Sequence, residues 1–445
     1  MISALVSLLV FLSPDSRLSP ATRVDKAGWI CVHLAGSPRD IGYQYGMLVA
    51  PEIEDAHKAL KAELKENTGR DWSFFRDTAK RLFWNKLDKE YQEELEGQAE
   101  GLTNKHVAAD VWDVLAFNAH IELEGYYLPW LSQQKVSGAK ESCSAFVATN
   151  SQTADGGIVM GHNLWWGYVM GQRFNLILDI TPQHGNRVVM DALCGFIHSG
   201  SDFAINSAGI EICETTISNF YGFDPNGKPE FMRMRKAIQY SKSLNDFASI
   251  MKDGNNGGYA NTWLLGDNKT GEIGKLELGL KNVSFTTKRD GFYVGANFPE
   301  DPKLIAEEIP GGWNSNPKQN GCERRKVRWN SLLKENMGKV NAELGKTFLA
   351  DTFDEVLNKH GVSGSTLCGR GDLERFPYLN GAMNTKVVTK VLAKRMSFWA
   401  RMGFTDGSTF SASDYWTKTK SRSATRPFLR DVPSQPWLVV PPAKE

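Results

Sequence analysis

The chain has 445 residues, of which 41% are hydrophobic and 23% are charged, as in an ordinary folded globular protein. Its 52 lysines and arginines nearly balance 51 aspartates and glutamates, leaving a formal net charge of +1. No overall field therefore attracts polyanions, and nucleic acid is not an expected partner. The length allows two or three average domains or one large layered unit.

The N-terminal segment predicts export. Residues 2–12 form an apolar run too short to span a bilayer, and a Ser/Pro-rich stretch follows. We interpret 1–21 as a signal peptide, with a frayed apolar tail as the alternative. We therefore expect a secreted, periplasmic or lysosomal protein with no integral membrane segment. N-glycosylation sequons at Asn268 and Asn282 fit this expectation.

The first third of the chain is predicted to be helical. After a strand at 28–36, Ser37 and Pro38 are suited to begin a helix as the N-cap and the first helical residue. Apolar residues then recur at helical spacing from 49 to about 125. Residues 130–141 are polar and small, as in a flexible or excisable connector. We assign 22–142 to an N-terminal helical fragment that includes this linker.

From Cys143 the hydrophobic period changes to two, so 143–445 is predicted to be a strand-rich fragment of the same domain. Strands grouped between helices favour an α+β fold with helix–sheet–sheet–helix layers. Helices are predicted at 231–252, 324–361 and 385–402, and the tail from Thr405 should run over the surface. Strands are predicted at 143–149, 157–163, 173–181, 187–192, 202–206, 209–216, 260–266, 273–279 and 291–296.

The six cysteines show neither CxxC pairing nor zinc-type spacing with histidine. This pattern suggests no metal site and no thioredoxin-like centre. If Cys143 is kept free, five cysteines remain and at most two disulfides can form. The cysteines are Cys31, Cys143, Cys194, Cys213, Cys322 and Cys368.

Cys143 stands where the helical part meets the strand-rich part, after the linker and before an alternating apolar run. Cleavage of the Ser142–Cys143 bond would give Cys143 a free α-amine beside its thiol. One residue would then hold both a nucleophile and a general base. The position predicts a self-cleaving amidohydrolase, and the alternative is a small buried cysteine at a strand start.

Six short motifs occur in the order found in phospholipase B-like proteins, and the chain resembles that family from Cys143 nearly to its end. It is also similar to autoproteolytic acyltransferases of the penicillin-forming type at 36–46 and 366–369. Both groups are N-terminal nucleophile (Ntn) hydrolases, so the resemblance implies a four-layer αββα sandwich. The six motifs occupy 143–145, 161–165, 214–217, 259–263, 381–387 and 392–396.

The resemblance implies that Cys143 is the nucleophile, released by intramolecular cleavage after Ser142, and that the two fragments remain associated. The thiol would attack an acyl carbonyl while the new α-amine, whose ordinary pKa is about 8, accepts and returns the proton. This mechanism needs no cofactor and no metal.

Two polar residues are predicted to stabilise the reaction. Asn297 lies at a strand end and corresponds to the asparagine that related enzymes place in the oxyanion hole, where a neutral amide suits every working pH. Thr216 is expected at another polar position near the nucleophile. For both residues the alternative is an ordinary hydrogen bond at a turn or strand end.

His162 and Asn163 lie on the strand expected beside Cys143, and one of them is predicted to orient the nucleophile. Many relatives in the wider superfamily have an aspartate two residues after this asparagine, where it helps to hold the α-amine. This chain has Trp165 at that place, as phospholipase B-like members do. A lone histidine in a strand can instead be a hydrogen-bonded core residue.

The predicted substrate-binding residues are Arg324, Arg325, Asn261 and Trp165. One of the two arginines could pair with a substrate carboxylate or phosphate, or with a buried acid near the amine. The alternative is an exposed basic start of a helix. Lys386 is shared with the resembled family, and the sequence suggests no role for it.

These residues predict a hydrolase that cleaves the amide of an N-acyl compound or the ester of a phospholipid, because a thiol can attack either bond. The expected substrate is therefore a small acyl amide or a lipid. An acyltransferase, in which an amine captures the acyl group, uses the same chemistry. A non-catalytic binding protein on the same fold is the alternative from another class.

Overall fold

The computed structural model describes residues 15–133 and 143–442. Their α-helices are α1 (Pro38–Leu48), α2 (Ala50–Thr68), α3 (Trp72–Phe83), α4 (Lys89–Asn104), α5 (Val111–Asn118), α6 (His120–Glu122), α7 (Leu128–Leu131), α8 (Tyr168–Gly171), α9 (Glu230–Tyr240), α10 (Leu244–Lys252), α11 (Pro302–Glu308), α12 (Gly321–Glu335), α13 (Ala342–Leu349), α14 (Lys390–Ala393) and α15 (Ala412–Thr419). Their strands are β1 (Thr22–Lys26), β2 (Trp29–Gly36), β3 (Ser144–Asn150), β4 (Gly156–Gly167), β5 (Leu176–Pro182), β6 (Val188–Ala192), β7 (Ala204–Asn206), β8 (Ile210–Thr216), β9 (Asn261–Asp267), β10 (Glu272–Leu278), β11 (Val283–Lys288), β12 (Gly291–Gly295), β13 (Phe353–Asp354), β14 (Lys359–His360), β15 (Asn380–Thr389), β16 (Phe398–Met402) and β17 (Leu438–Val440).

Two large sheets form the centre of the described structure. One has nine strands in the order β1-β2-β5-β6-β7-β8-β9-β10-β11, and the other has six in the order β12-β3-β4-β15-β16-β17. β2 and β5 pair in parallel, whereas β3–β4 and β4–β15 pair antiparallel. A separate two-stranded ribbon joins β13 and β14.

The two sheets pack face to face through alternate residues such as Val147, Met160, Ile177 and Phe398. Successive strand residues point to opposite faces, so their neighbours face the helices. Helices α1–α5, α9 and α10 cover the outer face of the nine-stranded sheet. Helices α12 and α13 cover the outer face of the six-stranded sheet. The predicted α+β fold with four αββα layers is therefore confirmed.

Helices α1 and α4 contact each other through glycines. A Cβ atom placed on Gly42 would lie 1.9 Å from the carbonyl oxygen of Glu94, and one on Gly97 would lie 2.1 Å from that of Arg39. Both distances are far below van der Waals contact, so only hydrogen fits at these positions. The close approach brings the backbones of α1 and α4 into direct contact.

The predicted helix at 385–402 is wrong. The chain there completes β15, makes a single turn of helix in α14, and enters β16. β15 is covered on both faces, so polar Asn384 and Lys386 are buried together with Val387 and Val388. A strand buried on both sides lacks the polar/apolar alternation that identifies a half-exposed strand.

Other boundaries also differ from the prediction. The helical region expected at 324–361 ends with α13, and the β13–β14 ribbon follows. The helix expected at 231–252 is two helices, α9 and α10, and β11 was not predicted. The tail from Thr405 does not simply cover the surface, because it contains α15 and β17 and buries Phe410, Trp416 and Val440.

The predicted leader falls partly outside the described residues, which begin at Asp15. Tyr43 donates a hydrogen bond to Asp15 Oδ2 at 2.7 Å, and Gln44 Nε2 donates to the Arg17 carbonyl at 2.7 Å. Arg17 also forms an ion pair with Glu100 at 2.8 Å. The leader boundary at residue 21 stays a prediction. Within the described ranges, no helix is long and apolar enough to cross a membrane.

The cysteines and sequons are mostly enclosed. All six cysteines lie in the described ranges, and none forms a disulfide there. Burial raises the pKa of Cys31 and of Cys368 to about 12, so these thiols stay protonated. The Asn268 sequon is buried, and its amide donates to Glu211 at 2.8 Å.

We expect Gly42→Ala to lower the free energy of unfolding by about 1–3 kcal/mol, because the new methyl group overlaps the α4 backbone. Denaturant unfolding monitored by circular dichroism would measure the change. Gly125→Ala is the matched control, since no atom lies within 4 Å of a Cβ placed there. Equal stability of the two variants would contradict the close packing of α1 and α4.

Candidate active site

Cys143 is the first described residue after the linker and directly precedes β3. β3 lies inside the six-stranded sheet, between β12 and β4. Only 1% of Cys143 is exposed, and its carbonyl oxygen accepts a hydrogen bond from Arg325 Nη1 at 2.6 Å. Ser142, the other half of the predicted cleavage bond, lies outside the described residues.

The Arg325 guanidinium makes the central contacts of the site. It extends from α12, where Nη1 also donates to Ser144 Oγ at 3.1 Å and Nη2 donates to Asn297 Oδ1 at 3.1 Å. Its Cζ lies 5.3 Å from the centre of the Trp165 ring. A guanidinium presents five N–H donors in a rigid plane, so it can bridge several oxygens at once. Arg325 thereby links the start of β3 to Asn297.

Asn297 follows β12 with a backbone φ of 66°, in the left-handed region that asparagine tolerates better than most residues. Its Nδ2 donates to the Thr216 carbonyl at 2.8 Å while its Oδ1 accepts from Arg325. A side-chain amide has two N–H groups. One of them is engaged with the Thr216 carbonyl.

Thr216, Tyr259, Glu214 and Asn261 continue this network along β8 and β9. Thr216 Oγ1 donates to the Tyr259 hydroxyl at 3.3 Å, which donates to Glu214 Oε1 at 3.0 Å. In the amide orientation that satisfies both neighbours, Asn261 donates to Glu214 Oε2 at 3.0 Å. The hydrogen-bonded chain that starts at Cys143 thus reaches Asn261, inside the protein.

Glu214 and Tyr259 were not predicted as site residues, although both stand in the quoted motifs. Tyr259 has a φ of 65°, which is uncommon for a bulky side chain and marks a position held by its surroundings. Glu214 is a fully buried acid in a strand, and buried acids are rare unless paired. Its place in a quoted motif beside Thr216 was the signal that could have identified it.

His162 lies on β4, opposite Ala145 on β3 and Lys386 on β15. Its ring stacks on Phe203, with centroids 6.3 Å apart. Burial, reinforced by the Lys386 ammonium, lowers the pKa of His162 well below its usual value. His162 is therefore a neutral imidazole between the two sheets, and its orienting role stays a prediction.

Asn163 faces Ser144 across the β3–β4 pair. Its Nδ2 donates to the carbonyl oxygens of Leu349 and Leu367 at 2.8 and 3.0 Å, and its Oδ1 accepts from Thr405 Oγ1 at 2.8 Å. Asn163 thereby ties the end of α13 and two loops to the strand that pairs with β3.

Trp165 and Arg324 were predicted to bind substrate, and in the structure both make contacts within the protein. Trp165 is buried, and a Cβ atom on Gly369 would lie 1.8 Å from its ring. Trp165 packs beside Arg325, and the backbone at Gly369 covers its ring. Arg324 donates to the carbonyls of Pro317 and Lys318 at 2.8 and 2.7 Å. These contacts turn Arg324 away from the group around Cys143, and direct substrate contact by either residue remains untested.

Lys386 connects the two sheets. Its ammonium, extending from β15, donates to Asp191 Oδ2 of β6 at 2.9 Å and to Asn384 Oδ1 at 2.7 Å. Ser199 donates to the other Asp191 oxygen at 3.2 Å. Both charged side chains are fully buried. Lys386 thus has a structural role that the sequence did not suggest.

The geometry and the motifs agree with the comparison to known families. Residues 49–322, more than half of the chain, match the family model described as Phospholipase B. The chain belongs to the phospholipase B family.

Two curated relatives match parts of the chain. An uncharacterized protein from Archaeoglobus fulgidus is 26% identical over 292 residues, which cover 61% of this chain and 46% of that protein. A putative phospholipase B-like 2 protein of Bos taurus is 30% identical over 172 residues, covering 35% of this chain and 29% of that protein. The chain therefore spans less than half the length of these relatives.

Among solved structures, a mutant of the conjugated bile acid hydrolase from Clostridium perfringens is similar at 11% identity and a TM-score of 0.35. The similarity covers 58% of this chain and 89% of that one. The four-layer assignment comes from the chain's own two sheets and their helices.

We expect Lys386→Met to destabilise the protein by about 3–5 kcal/mol, because Asp191 would remain as a buried charge without its cation. Adding Asp191→Asn should restore more than half of the lost stability, since the amide is neutral and can still accept from Ser199. Equilibrium unfolding of both variants in urea would measure this. If the two substitutions lowered the free energy of unfolding additively, the two side chains would not be coupled.

Proposed function

We propose that the chain is an Ntn hydrolase that cleaves its own Ser142–Cys143 bond and then acts on acyl bonds through an acyl-Cys143 intermediate. The observation that carries this proposal is the Arg325 guanidinium, which bonds both the Cys143 carbonyl and the Asn297 amide. One buried cation holds the candidate nucleophile and the candidate oxyanion donor together. Membership in the phospholipase B family supports an acyl-bond substrate.

In the proposed reaction, the freed α-amine of Cys143 takes the thiol proton, and the sulfur attacks the acyl carbonyl carbon. The carbonyl π electrons move to oxygen, and the second N–H of Asn297 donates to that oxyanion. The protonated amine gives its proton to the leaving nitrogen or oxygen as the bond to carbon breaks. Water, deprotonated by the same amine, then attacks the thioester and releases the acid and the thiol.

The remaining network would act by positioning. Asn297 is oriented through the Thr216 carbonyl, and the Thr216 side chain is held by Tyr259, which is bonded to Glu214. Oxyanion donors stabilise a transition state most when they are fixed in advance. We therefore assign Thr216, Tyr259 and Glu214 to holding Asn297 in place.

The substrate is proposed to be the amide of an N-acyl compound or the ester of a phospholipid. The burial of Cys143 supports a second candidate, acyl transfer to an amine, because an enclosed site disfavours water as the acceptor. Incubation of the cleaved protein with a substrate and a competing amine, followed by mass spectrometry, distinguishes free acid from a new amide. We also propose that the protein is exported.

We expect the purified protein to give two fragments on a denaturing gel, with a new N-terminus at Cys143. Cys143→Ala should remain one chain near 49.6 kDa, apart from any loss of the leader, because neither the thiol nor its attack on the preceding carbonyl remains. N-terminal sequencing and intact mass would measure both results.

Cys31→Ala is the matched control for this experiment, since Cys31 is also buried but lies in the inter-sheet core, and it should be cleaved normally. An active wild-type protein that is continuous through residue 143 would refute self-activation. A protein that stays whole and binds acyl compounds without turning them over would support the binding-protein alternative.

We expect Asn297→Ala, once cleaved, to lower kcat by about 10²–10³-fold with little change in KM, because a donor to the oxyanion is lost. Rates should be normalised to the fraction of chains with a free Cys143 N-terminus, which separates catalysis from maturation. Asn330→Ala is the control, since its amide donates to the Lys326 carbonyl one turn earlier in α12. A KM effect alone would argue against an oxyanion role.

A further inference from the structure

One loop of the protein exposes apolar side chains at its tip. Within 371–379, Phe376 is 79% exposed, Leu373 is 52% exposed and Tyr378 is 46% exposed. We call these three residues the apolar tip. Single exposed apolar residues are common on protein surfaces. Three of them within six residues of one loop form a patch, and such patches often mark interaction sites.

A strongly basic stretch of the tail lies beside this loop. Between Asp414 and Asp431 the sequence has no acidic residue. Arg430 pairs with Asp55 at 2.6 Å. In the part of the chain that the structure describes, no carboxylate lies within ion-pair distance of the other four cations. We call these four exposed residues the basic segment: Lys418, Lys420, Arg422 and Arg426.

Tyr378 of the apolar tip and the tail that carries the basic segment line one cavity. A cavity of about 300 Å³ lies between the loop and the tail, and acidic Glu63 is part of its lining. The loop contributes residues 377–379, and the tail contributes Tyr415, Trp416, Ser421, Ser423 and Thr425. Acidic Glu66 lines the same cavity, where it accepts a hydrogen bond from Ser423 at 2.7 Å. Glu374 accepts from the Gly364 amide at 2.9 Å. Arg375 adds a further cation beside Phe376.

The loop that carries the apolar tip is also connected to the candidate active site. Burial raises the pKa of Tyr378, and the positive charge of Arg325 partly offsets this, so the phenol lies within the field of the site's central cation. A Cβ on Gly371 would lie 2.5 Å from the Tyr378 ring, and Gly369 closes over Trp165. The apolar tip therefore follows directly in the chain after Gly369, which covers Trp165 beside Arg325.

We propose that the apolar tip and the basic segment together bind the surface of an anionic phospholipid bilayer. Phe376 and Leu373 enter the boundary between headgroups and acyl chains, and the cations of the basic segment lie against the lipid phosphates. Stable attachment to a membrane surface needs two such signals, because neither a small apolar insertion nor a few charges suffice alone. This inference goes beyond the proposed function and holds whether or not Cys143 is catalytic.

The apolar tip distinguishes a bilayer from a nucleic acid. Phosphates of either polymer or lipid could bind the basic segment. Phe376 and Tyr378 offer rings on which a base can stack, but Leu373 offers no such plane, and all three side chains gain free energy on entering an acyl-chain region. The combination favours lipid, and nucleic-acid binding becomes an outcome of the test.

The test is cosedimentation of the full-length protein with vesicles of phosphatidylcholine alone or with about 30% phosphatidylserine, at low and high salt. We expect binding to the anionic vesicles that weakens at high salt, because the headgroup attraction is screened. Leu373→Ser/Phe376→Ser and Lys418→Gln/Lys420→Gln/Arg422→Gln should each lower the partition coefficient at least about tenfold.

Matched controls keep the outcome interpretable. Met337→Ser removes another exposed apolar side chain, and Lys303→Gln/Lys334→Gln/Lys339→Gln removes three other exposed cations. Both should bind like the wild type, as should Cys143→Ala, which separates this proposal from the catalytic one. Equal binding to both vesicle types, equal losses in the controls, or binding to an oligonucleotide but not to vesicles would overturn the proposal.

Discussion

The burial of the Arg325 guanidinium is the constraint on which the candidate site depends. Removing such a cation from water costs several kcal/mol, so its N–H groups must find well-placed oxygens. The oxygens it meets belong to Cys143, Ser144 and Asn297, which come from two different strand ends. The hydrogen bonds of the Arg325 side chain therefore align the start of β3, the end of β12 and helix α12.

That alignment requires the layers themselves to stay in register. Hydrophobic contact between two sheets is strong but not directional. It therefore does not by itself fix the position of one sheet relative to the other. The buried pair of Lys386 and Asp191 crosses from one sheet to the other and accepts only one register. Its hydrogen-bonding neighbours reduce the cost of burial. The candidate site therefore rests on two sheets whose relative position is set by the buried Lys386–Asp191 pair.

Sequence reasoning found the layers and the position of Cys143 before a strand, because both depend on local periodicity. Asn297 and Arg325 were predicted near Cys143 from the resemblance to related enzymes, and their roles in the reaction stay predictions. Sequence reasoning failed at 385–402, where burial on both faces removes the alternation that identifies strands. It did not identify the Glu214–Tyr259 contact, which joins residues from separate segments. Nor did it assign Lys386, whose partner lies almost two hundred residues earlier.

The near-neutral net charge does not conflict with the proposed bilayer-binding face. A formal charge of +1 argues against an overall field, but a bilayer senses the charges of a protein surface only within about one Debye length, roughly 10 Å. At that range the four cations of the basic segment outweigh the distant acids of the chain, although Glu66, which bonds Ser423, lies beside them. Gly369, just before the loop that carries the apolar tip, packs against Trp165, the aromatic neighbour of Arg325. Attachment through the apolar tip would bring the candidate site close to the bilayer without any rearrangement having to travel through the fold.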